Sequence, residues 1–156
     1  MRSCVVSALA MVLLTACGPE PKPVVLEPAK IAEAPTHADE SRRFTTVNLV
    51  KTEVVPRELM ATFMPGGTLA RYRKGKKEYE MFVAKCDSAT NAAILLLDWH
   101  KDLAGSKYVP SFGGYFGLRG RRPLFVFSKG AWIAGIVGLA EKDADVEARV
   151  LAAHLD

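Results

Sequence analysis

Residues 109–139 read VPSFGGYFGLRGRRPLFVFSKGAWIAGIVGL. Three apolar runs rich in aromatic and β-branched residues are separated by breaks of glycine and arginine. Val109 to Leu118, Pro123 to Ser128 and Ala131 to Leu139 are therefore predicted as successive strands, with Lys129-Gly130 as a tight turn. Gly113, Gly114, Gly117, Gly135 and Gly138 predict bulges or faces of close approach.

Upstream, Thr68 to Arg73 and Lys77 to Cys86 predict a hairpin around Lys74-Gly75-Lys76. Asp87 or Ser88 can then cap a helix that runs to Leu103, with Ala89, Ala92, Ala93, Leu96, His100 and Leu103 at helical spacing. Ile94, Leu95, Leu97 and Trp99 widen its apolar stripe, and Gly105 follows as a stop. Phe44 to Val55 suits a strand. Pro56-Arg57-Glu58 is expected to open a short helix whose apolar face is Leu59, Met60, Phe63 and Met64. Downstream, Asp143 is expected to cap a last helix to Leu155, with Asp145 and Arg149 paired one turn apart. Strands and helices that do not strictly alternate indicate an α+β fold. The expectation is an antiparallel sheet of about five to six strands with two or three helices packed on one face.

The N-terminus carries an address. Residues 1–17, MRSCVVSALAMVLLTAC, place Arg2 before an apolar core from Val5 to Leu14. That core is too short to span a bilayer, which takes roughly 20 residues, and suits an export signal. Leu14-Thr15-Ala16-Cys17 resembles the lipobox of bacterial lipoproteins. The resemblance implies that the signal, residues 1–16, is cut before Cys17, that the Cys17 thiol carries diacylglycerol, and that the new amino terminus is acylated. Gly18 is not the Asp that retains many such proteins at the inner membrane. In a Gram-negative host the resemblance therefore implies an outer-membrane lipoprotein facing the periplasm, held firmly by several acyl chains.

Residues 17–43 contain Pro19, Pro21, Pro23, Pro28 and Pro35 and no periodic apolar pattern, so they are expected to be a disordered tether behind the lipidated Cys. A flexible chain of this length reaches about 25–30 Å. Residues 44–156 are expected to form a single domain. The formal charge of +4 divides unevenly: the tether sums to −1 and the domain to +4, with Arg2 supplying the remainder. Cys4 leaves with the signal and Cys17 is consumed by lipid, so Cys86 is the lone thiol of the mature chain. At the end of the run Met81-Phe82-Val83-Ala84-Lys85, it is expected to be buried as a small hydrophobe.

Gly113-Gly114-Tyr115-Phe116, Phe125-Val126-Phe127-Ser128-Lys129-Gly130 and Trp132 resemble an uncharacterised family of exported bacterial α+β domains. The resemblance implies the fold and no activity.

The usual chemical signatures are missing. Gly113-Gly114, Gly117 and Gly120 sit between strands and open no helix, unlike a phosphate loop. His100 has only Asp98 and Asp102 nearby, and His37 and His154 have no ligand set, so no metal and no cofactor is implied. No Gly-x-Ser-x-Gly elbow occurs. Glu78 and Glu80 share one strand face, where a solvated pair is the expectation. An enzyme is therefore not expected.

Two basic groups stand out: Arg71, Arg73, Lys74, Lys76 and Lys77, and Arg119, Arg121 and Arg122. On one rim they would attract anions, while a lysine-rich hairpin is also what guards a sheet edge. An exported, tethered domain meets little nucleic acid, so a partner protein or an anionic envelope surface is the expected target. A small-ligand carrier is the alternative, with Trp99, Tyr115, Phe116 and Trp132 lining a pocket. A hydrolase ranks below both.

Overall fold

The computed structural model describes residues 37–156; the expected signal, Cys17 and the tether up to residue 36 lie outside them. The strands are β1 (Leu49–Arg57), β2 (Pro65–Lys74), β3 (Lys77–Lys85), β4 (Ala104–Val109), β5 (Gly114–Arg119), β6 (Arg122–Lys129) and β7 (Trp132–Val137). The helices are α1 (Ala89–Asp102), between β3 and β4, and α2 (Glu141–Ala153), after β7. The fold is α+β: one antiparallel sheet in the order β1-β2-β3-β7-β6-β5-β4.

The sheet has seven strands, more than the five to six expected. The stretch Val109 to Leu118 is not one strand. Pro110 to Gly113 turns the chain, and a short strand, β4, runs back from Ala104 to Val109 along β5. Its sequence, Ala-Gly-Ser-Lys-Tyr-Val, lacks an apolar period because it lies on the sheet edge and is mostly exposed. The short helix expected after Pro56 is also absent. β1 continues through Pro56 to pair Arg57 with Pro65. An edge strand has an outward row of backbone groups with no partner strand, so a missing N–H is tolerated there. Glu58 and Met60 then take positive φ, 53° and 65°, which turns the chain back into β2. Leu59 and Met64 are still buried, as core residues of an irregular loop.

The helices do not share a face. Side chains of a strand alternate between faces. Phe82 and Ala84 of β3 pack with Leu124, Val126, Ile133, Leu96 and Trp99 on the α1 side. Tyr79, Met81 and Val83 pack with Phe125, Phe127, Ile136, Ala144, Ala148 and Leu151 on the α2 side. β7 is buried at all six positions, so it needs cover on both faces, and one layer of helices could not supply it. The result is a sheet between two single helices.

Local signals set the rest. The Ser88 side chain accepts from Asn91 N–H and caps α1, as expected. Lys74 pairs with Lys77, leaving Gly75 and Lys76 as the turn, with Gly75 at φ 62°. Lys129 likewise pairs with Trp132, so the turn residues there are Gly130 and Ala131. α2 starts one turn earlier than expected; its N-cap is Ala140, which makes no side-chain cap, and Asp143 lies inside the first turn. Asp145 and Arg149 form the expected pair, at 2.9 and 3.1 Å.

Packing begins before Phe44. Glu40 N–H donates to Thr68 Oγ1 at 3.0 Å, and a 3-10 turn spans Ser41–Arg43. The Arg43 guanidinium pairs with Glu40 at 2.8 Å, donates to the His154 carbonyl at 2.6 Å and lies 4.1 Å over the Trp132 ring. Trp132 Nε1 donates to the Asp156 carbonyl at 3.1 Å. The entering chain and the C-terminus are thus pinned together beside the β6–β7 turn.

Candidate functional site

The register brings the two basic turns to one end of the sheet. Glu80 of β3 and Leu124 of β6 both pair with Val137 of β7. The β2–β3 turn and the β5–β6 turn therefore flank the end of β7, and the first turn of α2 follows from there. Arg122 Nη1 meets Glu80 Oε2 at 2.8 Å and ties the two hairpins directly. The segment Glu40–Arg43 packs at the other end of the sheet.

Strand pleating splits the basic run. Arg71 and Arg73 point to the α1 side, where their register partners are Glu80 and Glu78. Arg71 meets Glu80 at 3.2 Å and Arg73 meets Glu78 at 2.7 Å. Glu80 thus serves two arginines with a side chain only 17% exposed. Glu78 and Glu80 are not simply solvated; they neutralise the strand-borne half of the patch. Arg119 reaches Asp102 at the end of α1, 3.3 Å away, and lies 5.4 Å from the Trp99 ring.

Lys74 and Lys77 lie on the α2 side with Tyr72 and Tyr79. Lys77 Nζ meets Asp143 Oδ2 at 3.2 Å, joining the β2–β3 turn to α2. Among the described residues no carboxylate lies within ion-pair distance of Lys74, Lys76 or Arg121, and all three are exposed. They are the cations of these two hairpins that the fold leaves open.

Beside Lys74 and Lys76 lies a groove of about 520 Å³ between the β2–β3 turn and α2. Lys74, Lys76 and Lys77 form one bank and Asp143 and Glu147 the other, over a floor of Tyr79, Leu139 and Val146. The Tyr79 ring stacks on Tyr72 with centroids 5.0 Å apart. Burial, reinforced by the charge of Glu147, pushes the Tyr79 hydroxyl up to about 12; it is also hydrogen-bonded to Glu147. At neutral pH that phenol is a neutral donor, already used.

The four aromatic residues expected to line one pocket are not brought together. Trp99 is fully buried on the α1 side, where its Nε1 donates to the Met64 sulfur at 3.2 Å and Phe63 and Phe82 surround it. Tyr115 is on the same side, stacked on His100 at 4.4 Å and near Tyr108. Phe116 and Trp132 belong to the α2 side. Trp99 and Trp132 serve the core, and the groove floor is aliphatic apart from Tyr79. Leu139 and Val146 were missed because their apolar positions read as ordinary helix and strand spacing.

His100 is engaged with Ser106 at 2.8 Å. Cys86 is half-buried, and burial with the neighbouring Asp87 pushes its thiol above the ordinary value, away from a reactive thiolate. Among the described residues no group of three His, Cys, Asp or Glu is placed to hold a metal ion, and no helix is long and apolar enough to cross a membrane. No family model, curated protein or solved structure matches the chain.

Proposed function

We propose that the protein is a lipid-anchored bacterial envelope lipoprotein, attached through Cys17, whose small non-enzymatic domain binds a partner protein or an anionic envelope surface. In a Gram-negative host it sits on the outer membrane and faces the periplasm. The observation that carries the binding reading is the shared rim. Lys76 and Arg121 lie on two turns at one end of the sheet, with Lys74 in the last ladder pair beside the first, all without carboxylate partners, while the neighbouring arginines are consumed by Glu78, Glu80 and Asp102. Cations held on short turns keep their field for a ligand; those paired on strands do not.

The described chain enters at the other end of the sheet. Residues 40–43 pack beside Trp132, at the end opposite the rim. β3 alone spans nine residues between the two ends, about 30 Å at the strand rise.

In-cell photo-crosslinking from positions 76 and 121 tests this, with membrane fractionation of the same cells. The expected result is an envelope species captured from both positions, lost on charge reversal of Lys74, Lys76 and Arg121, and weakened by salt. Cys17→Ser is expected to release the protein from the membrane fraction. Capture that survives charge reversal, or a Cys17→Ser protein that stays membrane-bound, sinks the corresponding half of the proposal.

A further inference from the structure

The geometry points to the groove between the β2–β3 turn and α2 as the seat of an acidic peptide segment of a partner protein, with a carboxylate at Lys74 and Lys76 and an apolar side chain on Leu139 and Val146. This rests on the binding reading above and names its occupant. Three features select that chemistry.

The first is charge. Lys77 is neutralised by Asp143 across the groove, but Lys74 and Lys76 face it without partners, so the vacant charge on that bank is positive. A carboxylate can take both ammonium groups without displacing an internal ion pair. Glu147 and Asp143 on the opposite bank disfavour a uniformly anionic surface such as a sheet of phosphate headgroups, which would bring charge against both banks.

The second is the floor. Val146, which lines the groove, is 57% exposed, and Val150, one turn further along α2, is 40% exposed. Two valines in line at i,i+4 continue the apolar floor out of the groove along the helix. A simple anion has no use for such a strip, whereas an extended segment alternating acidic and apolar side chains can cover both the strip and the lysines.

The third is preorganisation. Tyr79 is buried and stacked on Tyr72, and the Lys77–Asp143 pair links the turn to the helix. The floor therefore loses little freedom on binding, which keeps the cost of association low.

Fluorescence anisotropy with the full-length protein in detergent tests the proposal. The probe is a labelled, end-blocked peptide of alternating glutamate and valine, with the lysine–valine counterpart as control. The glutamate peptide is expected to bind and the lysine peptide not. Lys74→Glu/Lys76→Glu and, separately, Val146→Asp are each expected to weaken binding about tenfold or more. Arg121→Glu, on the same rim but outside the groove, should change it less than about threefold. Val146 is exposed, so its replacement leaves the fold intact, as circular dichroism would verify.

Equal losses from Arg121→Glu and Lys74→Glu/Lys76→Glu, with none from Val146→Asp, would mean diffuse rim attraction; the groove would be overturned while the rim reading stood. Equal competition by vesicles of anionic lipid would overturn the peptide occupant in favour of headgroups. No binding of the glutamate peptide, with crosslinking from positions 76 and 121 intact, would overturn the groove alone. Loss of crosslinking as well would remove both readings.

Discussion

The two ends of the sheet use their cations differently. At the Trp132 end, Arg43 binds Glu40, the His154 carbonyl and the Trp132 ring, and Lys129 donates to the Ala152 carbonyl at 2.8 Å. Lys85 Nζ lies 5.6 Å from the centroid of the Trp132 ring. Arg43 ties the entering chain to the end of α2, and Lys129 ties the β6–β7 hairpin to the same place. At the rim, Arg71, Arg73, Arg119 and Arg122 are likewise paired, but Lys74, Lys76 and Arg121 are left over. Cations near chain ends stabilise the fold by holding terminal carbonyls and an aromatic ring. Lys76 and Arg121 sit on two-residue turns past the last ladder pair, and Lys74 closes the ladder at one of them, none with a carboxylate in ion-pair reach.

That contrast can be broken by mutation. The largest effect is expected from Trp132→Ala. It removes a side chain only 3% exposed and the platform for Arg43, and should cost about 3–5 kcal/mol in chemical denaturation. Arg43→Ala should cost about 1–3 kcal/mol, because it frees the His154 carbonyl and leaves Glu40 only the longer, exposed pair with Arg42. A midpoint unchanged by Arg43→Ala would show that the clasp is decorative and the contrast between the ends false.

Alkaline titration sharpens the rim side. Tyr79 has its hydroxyl raised from 10.0 to about 12 in the folded protein, chiefly by burial. The folded state therefore binds the proton more tightly than the unfolded chain. That stability is fully present below pH 10 and is lost as pH climbs towards 12. Tyr72, also raised by burial, acts in the same direction. Tyr79→Phe should flatten the fall in denaturation midpoint between pH 10 and 12. An unchanged slope would show that the floor of the groove is open to water. The smallest effect on stability is expected from Lys74→Glu/Lys76→Glu, within about 0.5 kcal/mol, since exposed and unpaired side chains contribute little to folding. A loss comparable to that of Arg43→Ala would mean the rim lysines belong to the fold and not to a ligand.

Much of the fold was legible. The Lys74–Lys77 hairpin, α1 with its Ser88 cap, and the β6–β7 hairpin follow from turn glycines and residue periodicity. β4 was not legible, because an exposed edge strand needs no apolar alternation. The loop at 58–64 was misread because its apolar residues sit at helical spacing by coincidence, each reaching the core from an irregular backbone. Of the site, the basic residues were visible in the sequence and their pairing was not. Glu78 and Glu80 are separated from Arg71 and Arg73 by a turn, and antiparallel register places them opposite. The aromatic residues expected to line one pocket failed for a related reason: residues on strands of opposite parity lie on opposite sides of the sheet.

The sequence by itself determined the inventory: an N-terminus that resembles a lipoprotein export signal, a proline-rich stretch, an α+β order of elements and two basic turns. These depend on local chemistry, on what one residue permits in its neighbours. Only the tertiary structure decided that the helices cover opposite faces, that the two turns share a rim, and which cations stay unpaired. Those outcomes depend on strand order and register, which bring together residues dozens of positions apart. Arg122 and Glu80 are 42 residues apart in the chain and 2.8 Å apart in space. Nothing in either residue's neighbourhood announces the other.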